Sequence, residues 1–155
     1  MKKLWIYAFA AGIFTLQSCE TQKKITNVQP TFEQKAKHKE IKTPDDALAE
    51  LKAGNKRFLN DEHTKLDYKN QIAATKDDQH PHSLILSCLD SRVPPEIIFD
   101  QGIGEVFVAR VAGNIETNEI LGSMEFATKV KGTKLIVVMG HTKCGAVSGA
   151  IDDAK

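Results

Sequence analysis

Two short apolar runs, Ser83-Leu84-Ile85-Leu86-Ser87-Cys88 and Lys134-Leu135-Ile136-Val137-Val138-Met139, most constrain what this chain folds into. Each is of strand length, continuously apolar at its centre and bounded by turn-like residues, which predicts two buried strands of a parallel sheet. Both break off into residues with metal-binding chemistry. Cys88 closes the first run, with Asp90 and Arg92 after it, and His141 and Cys144 lie just past the second. In an open parallel sheet ligands gather beyond the carboxyl ends of strands, where strand order reverses. If the two strands are neighbours, the two segments build one site.

Two thiolates and one imidazole form a borderline-soft set suited to zinc, and three protein ligands leave a fourth tetrahedral position for water or substrate. The same residues have plainer readings. Cys88 and Cys144 can be buried small hydrophobes or a disulfide, and His141 the cap of a turn. Asp90 and Arg92 can belong to an ordinary turn, the aspartate capping backbone and the arginine solvated.

The rest of the chain from Thr43 reads as alternating helix and strand. Thr43 caps a helix with Pro44 in its first turn, Asp45 and Asp46 suiting the dipole, and Ala47, Leu48, Leu51 and Phe58 on its apolar face. A short helix follows around Asp67 to Thr75, a turn or short helix after Pro94-Pro95-Glu96, a strand from Glu105 to Arg110, and a crossover helix from Asn114 to Val130 that Gly132 stops. A last helix starts at Cys144. This pattern predicts an α/β fold, a single domain with a central mainly parallel sheet flanked by helices.

Ser87-Cys88-Leu89-Asp90-Ser91-Arg92-Val93-Pro94 and Gly140-His141-Thr142-Lys143-Cys144-Gly145 resemble the two signatures of the beta class of carbonic anhydrases, and Phe107 to Asn114 is similar to the family's second strand and following loop. The resemblance runs from about Thr43 to the last residue. It implies Cys88, His141 and Cys144 as ligands of one zinc ion per chain, with Asp90 and Arg92 a functional pair beside it. It also implies reversible hydration of carbon dioxide to bicarbonate, by attack of a zinc-held hydroxide on the carbon. In the family, aspartate paired with arginine marks the open form and aspartate on zinc a closed, inactive one. Asp90 stands where it can accept a hydrogen bond from the zinc-held hydroxide, and Arg92 can hold its carboxylate through a two-pronged contact. Because two thiolates cancel the metal charge, activity is expected to rise toward alkaline pH. Related scaffolds that hydrolyse carbon disulfide or carbonyl sulfide, and a noncatalytic lipoprotein that uses zinc only to hold its fold, are the alternatives.

Three further residues carry expectations from the resemblance. Gln79, in the loop before the first strand, matches a glutamine that donates to a substrate oxygen in one subtype; otherwise it is solvated. Phe107 lines an apolar pocket for carbon dioxide, reached from a neighbouring subunit, or packs in the core. Gly145 opens the last helix, where amides favour an anion, or merely permits a tight turn. His38, His63, His80 and His82 read as solvated surface or loop residues, none of them singled out as a proton shuttle. The family assembles as a homodimer or higher even oligomer. Its full-length members continue past the second motif, so the carbonic-anhydrase-like domain, 43–155, is expected to be C-terminally incomplete, with an apolar exposed face on its third strand.

The amino end suggests a location. Lys2 and Lys3 precede an apolar stretch, Leu4 to Phe14, too short to span as a mature helix, so residues 1–18 read as a signal peptide. Leu16-Gln17-Ser18-Cys19 resembles a lipobox, with Cys19 lipidated; a plain secretory signal is the alternative. Residues 19–42, rich in Lys, Gln and Thr, read as a tether spanning roughly 25 Å, part of it alternatively a helix around a partner subunit. The chain is thus expected to be lipid-anchored in the periplasm or cell envelope. A formal net charge of +1 and the lack of a long basic block give nucleic-acid binding no electrostatic support.

Overall fold

A computed structural model of the chain describes residues 41–154. The expected signal peptide, Cys19, His38 and nearly all of the expected tether lie outside the described residues.

Helix α1 (Pro44–Leu59) starts as the sequence dictates. The Thr43 hydroxyl accepts from the Asp46 amide, the Asp46 carboxylate accepts from the Thr43 amide, and Pro44 sits where no intrahelical donor is needed. Ala47 and Leu51 are buried, whereas Leu48 is exposed. Gly54 is also buried, and a Cβ there would lie 1.8 Å from the Phe99 carbonyl oxygen, so only glycine lets α1 approach the backbone at Phe99 this closely. Helix α2 (Tyr68–Thr75) is capped by Asp67.

Strand β1 (Ser83–Cys88) is buried along its whole length. It is the centre of a three-stranded parallel sheet in the order β2-β1-β3, with β2 spanning Val106–Val111 and β3 Leu135–Met139. Helix α3 (Pro95–Ile98) lies between β1 and β2. From β1 the chain steps to one side for β2 and then crosses to the other side for β3. Strand order therefore reverses at β1, and the carboxyl ends of β1 and β3 open on one crevice.

Three expectations need correction. The crossover helix does not begin at Asn114. Ala112–Asn114 form a short 3-10 turn with Gly113 at φ 75°, and α4 (Asn118–Glu125) starts where the Thr117 side chain accepts from the Ile120 amide. It runs on through Phe126–Val130 as a wider helical turn, and Gly132, at φ 70°, then stops it as expected. Strand β3 is not buried like β1. Among the described residues it pairs on one side only, and Ile136 and Val138 are 39% and 59% exposed, which is the apolar exposed face foreseen for the third strand. Nor is His82 solvated. It is half-buried at the amino end of β1, its ring nitrogens 2.8 Å from the Ser83 hydroxyl and 2.9 Å from Gln101 Oε1. His63, though exposed, lies edge-on to Phe58, while the His80 side chain is 82% exposed.

Asp100 ties α1 and the loop after it to the segment that leads into β2. This buried carboxylate accepts from the Thr64 amide at 3.0 Å, the Thr64 hydroxyl at 2.7 Å and Arg57 Nε at 2.5 Å, and so joins α1, the following loop and the approach to β2.

Candidate metal centre

The end of β1 delivers Cys88. On the other side of the crevice, β3 runs into Gly140 and His141, Lys143 turns the chain at φ 55°, and Cys144 stands as the N-cap residue of α5 (Gly145–Asp153). Parallel pairing of β1 with β3 brings residues 56 positions apart together, with Cys88 Sγ 3.8 Å from Cys144 Sγ. The two sulfurs and a ring nitrogen of His141 all lie within 4.8 Å of one another. Both cysteines are free and buried, and the His141 side chain is 7% exposed.

These residues fit zinc on three counts. Two thiolates at zinc bond lengths of about 2.3 Å, subtending a tetrahedral angle, stand about 3.8 Å apart, which is the separation observed. His141 Nδ1 lies 2.9 Å from the Thr142 carbonyl, to which it donates, leaving the lone pair on Nε2. Nε2 is the one buried side-chain nitrogen or oxygen without a hydrogen-bond partner among the described residues. Finally, the Cys88 thiol is lowered to about 6 by the backbone amides of Asp90 and Gly113 and by His141, which favours at neutral pH the thiolate that metal binding requires. The Cys88 sulfur in turn raises the His141 imidazole, against the burial that lowers it.

Asp90 lies beside this cluster, turned to Arg92. Its carboxylate accepts from the Arg92 amide (2.9 Å), Nε (2.9 Å) and Nη2 (2.7 Å), and the guanidinium holds it well below the usual carboxylate range. Asp90 Oδ2 is 3.9 Å from His141 Nε2. The geometry is that of aspartate paired with arginine.

Of the other expected residues, Gly145 follows directly on Cys144, whereas Gln79 and Phe107 are not gathered here within one chain. Gln79 is exposed in the loop before β1, roughly 20 Å of strand away from Cys88. Phe107 pairs with Leu84, about 13 Å along the sheet from Cys88. It faces Phe126 edge-on in a cleft of 590 Å³ that Glu119 and Ser123 also line. Gly145 has no atom within 4 Å of an added Cβ, so crowding of the turn does not demand glycine there; the positive φ of that turn falls on Lys143.

Two residues beside the cluster carried no role in the sequence reading. Gly113 donates its amide to Cys88 Sγ at 3.4 Å, and Arg110 donates from Nε to the Cys88 carbonyl at 3.0 Å and from Nη2 to the Asp90 carbonyl at 2.5 Å. Their only signal was membership of the Phe107 to Asn114 stretch. Their placement follows from the register that sets Cys88 against Val111.

Residues 83–155 match the family model described as carbonic anhydrase. Carbonic anhydrase 2 of Mycobacterium tuberculosis is 46% identical over 105 residues, which cover 65% of this chain and 49% of that protein. Of solved structures, the beta-carbonic anhydrase CcaA superposes with a TM-score of 0.52 at 31% identity, over 68% of this chain and 53% of that one. A Coccomyxa beta-carbonic anhydrase, solved in complex with acetazolamide, gives 0.52 at 31% identity over 67% and 47%. The chain spans about half the length of the curated relatives it matches. The motifs around Cys88 and His141, the parallel sheet that joins them and these likenesses lead to one conclusion: the chain belongs to the beta-class carbonic anhydrase family.

Proposed function

We propose that this chain holds one zinc ion through Cys88, His141 and Cys144 and interconverts carbon dioxide and bicarbonate. The observation that carries the proposal is the buried, unpartnered Nε2 of His141, whose ring stands beside two sulfurs at zinc-ligand spacing. Bound there, zinc supplies the Lewis acidity that brings the ionisation of a water into the range of working pH. The protein's part is orientation. Asp90 accepts a hydrogen bond from the attacking water and fixes its direction toward the substrate carbon, while Arg92 keeps the carboxylate turned away from the ligand atoms. Gly145, with open space above its Cα at the start of α5, lets bicarbonate approach the helix amides.

Gln79 and Phe107 lie too far along their own chain to touch that site, so their contributions to substrate come from a second copy, in a homodimer or higher even oligomer. The likeness of residues 1–18 to a signal peptide and of Leu16 to Cys19 to a lipobox supports a lipid-anchored enzyme at the cell envelope. No helix among the described residues is long and apolar enough to cross a membrane.

Stopped-flow hydration of carbon dioxide by zinc-loaded protein tests the reading. Turnover that a chelator abolishes, that H141A lacks and that rises toward alkaline pH supports it. One bound zinc per chain without turnover assigns the metal a purely structural role, and a rate flat from acid to alkaline pH contradicts the two-thiolate centre.

A further inference from the structure

We propose that Arg110 is a positioning residue that holds the Cys88–Asp90 turn against the metal centre; the proposal deepens the zinc reading above and rests on it. Beyond Cys88 the chain leaves the sheet, and the last ladder contact is the Leu89 amide on the Val111 carbonyl at 3.1 Å. From there to Asp90 the turn has little packing of its own, since the Leu89 side chain is 65% exposed. Arg110, opposite Ser87 on β2, spans this gap. Its planar guanidinium donates to the Cys88 carbonyl on one side of Leu89 and to the Asp90 carbonyl on the other. Two donors in a fixed plane, holding carbonyls that flank one residue, restrict the backbone rotations that would swing Asp90.

The division of labour with Arg92 is then physical. Arg92 grips the Asp90 carboxylate but is itself 61% exposed and solvated. Arg110 grips the main chain from which that carboxylate hangs and is half-buried. Asp90 Oδ2 is only 3.9 Å from His141 Nε2, so a small turn of the backbone carries the carboxylate into the ligand cluster even with Arg92 present. Arg110 therefore separates an aspartate that orients water from one that competes for the metal. Lysine replaces it only in part, because an ammonium is a point donor without the fork.

The experiment uses the full chain as wild type, R110Q and R110K, each loaded with cobalt for visible spectroscopy and with zinc for hydration kinetics. The expected result is one metal per chain in all three. R110Q shows a changed cobalt d–d band, and its kcat falls about 10- to 100-fold at little-changed KM; R110K lies in between. A cobalt spectrum and kcat of R110Q that match wild type overturn the proposal. Should R110Q fail to fold, R110K decides, and wild-type behaviour from it overturns the proposal equally. Wild type that binds cobalt yet hydrates no carbon dioxide defeats the catalytic reading, while the cobalt spectra still decide whether Arg110 positions the turn.

Discussion

Asp100→Ala removes the carboxylate that ties α1 and the Thr64 loop to the approach to β2. The Asp100 side chain is 4% exposed and accepts from Thr64 twice and from Arg57. Breaking a buried charge pair costs about 3–5 kcal/mol when the surviving charge is stranded. Arg57 is 30% exposed and keeps Glu50 at 3.1 Å, so the stranded charge is largely relieved and about 2 kcal/mol of that remains. Alanine must also adopt the φ of 49° that Asp100 holds, which adds about 1 kcal/mol. The total, about 3 kcal/mol, lowers the melting temperature by about 10 °C for a folded unit of this size. The pH dependence has a definite sign. Burial pushes the Asp100 carboxyl up, but the hydrogen bonds from Thr64 and Arg57 outweigh it and leave the folded value lowered. Its stabilisation is therefore complete above the unfolded carboxylate value near 3.9 and is lost as pH falls through the lower folded value. Thermal unfolding of the two zinc-loaded proteins by circular dichroism should show a gap that is constant from neutral pH down to about 5 and narrows below about 4. A cost under about 1 kcal/mol, or a gap that widens in acid, refutes the reasoning.

Three other perturbations probe the site. R92A removes two of the three donors on Asp90, and stopped-flow hydration should fall about 10- to 100-fold at unchanged zinc content; full activity would show that Asp90 needs no partner. G113A forces a side chain onto φ 75°, with its Cβ 3.5 Å from that of Ala146, and chemical denaturation should register a loss of about 1–2 kcal/mol, the absence of which contradicts the strained turn. With the metal stripped, Cys88 and Cys144 stand 3.8 Å apart with Cys88 a thiolate at neutral pH, so glutathione disulfide should oxidise them to an intramolecular disulfide. Zinc-loaded protein should resist, and thiol titration distinguishes the two; free thiols persisting in the stripped, oxidised protein contradict the geometry.

The parts of the site legible in the sequence were those whose chemistry is carried by residue type. Cys88, His141 and Cys144 stood out because Cys88 closes one apolar run and the other two lie just past a second, and Thr43-Pro44-Asp45-Asp46 because capping is a local matter. β1 was placed to the residue, since a strand buried on both faces has sharp edges in hydropathy. What escaped depends on pairing across the chain. The burial difference between β1 and β3 comes from sheet order, which their similar apolar runs do not encode. His82 looked like a loop histidine because its partner Gln101 is 19 residues away. The crossover helix began late because Gly113 and Asn114 take positive φ, a tertiary choice that lets the loop amide reach Cys88. Arg110 looked like one charged residue in a strand until the register placed it over the turn.

Zinc bound as proposed takes two sulfurs and one imidazole nitrogen from two strand ends and keeps one further position. Zinc-edge X-ray absorption on the loaded protein reads that shell directly. The expected result is one zinc per chain bound to two sulfurs at about 2.3 Å and two light atoms at about 2.0–2.1 Å, with one imidazole in the outer scattering. A shell without sulfur, a single sulfur, or a chain that takes up no zinc would contradict it.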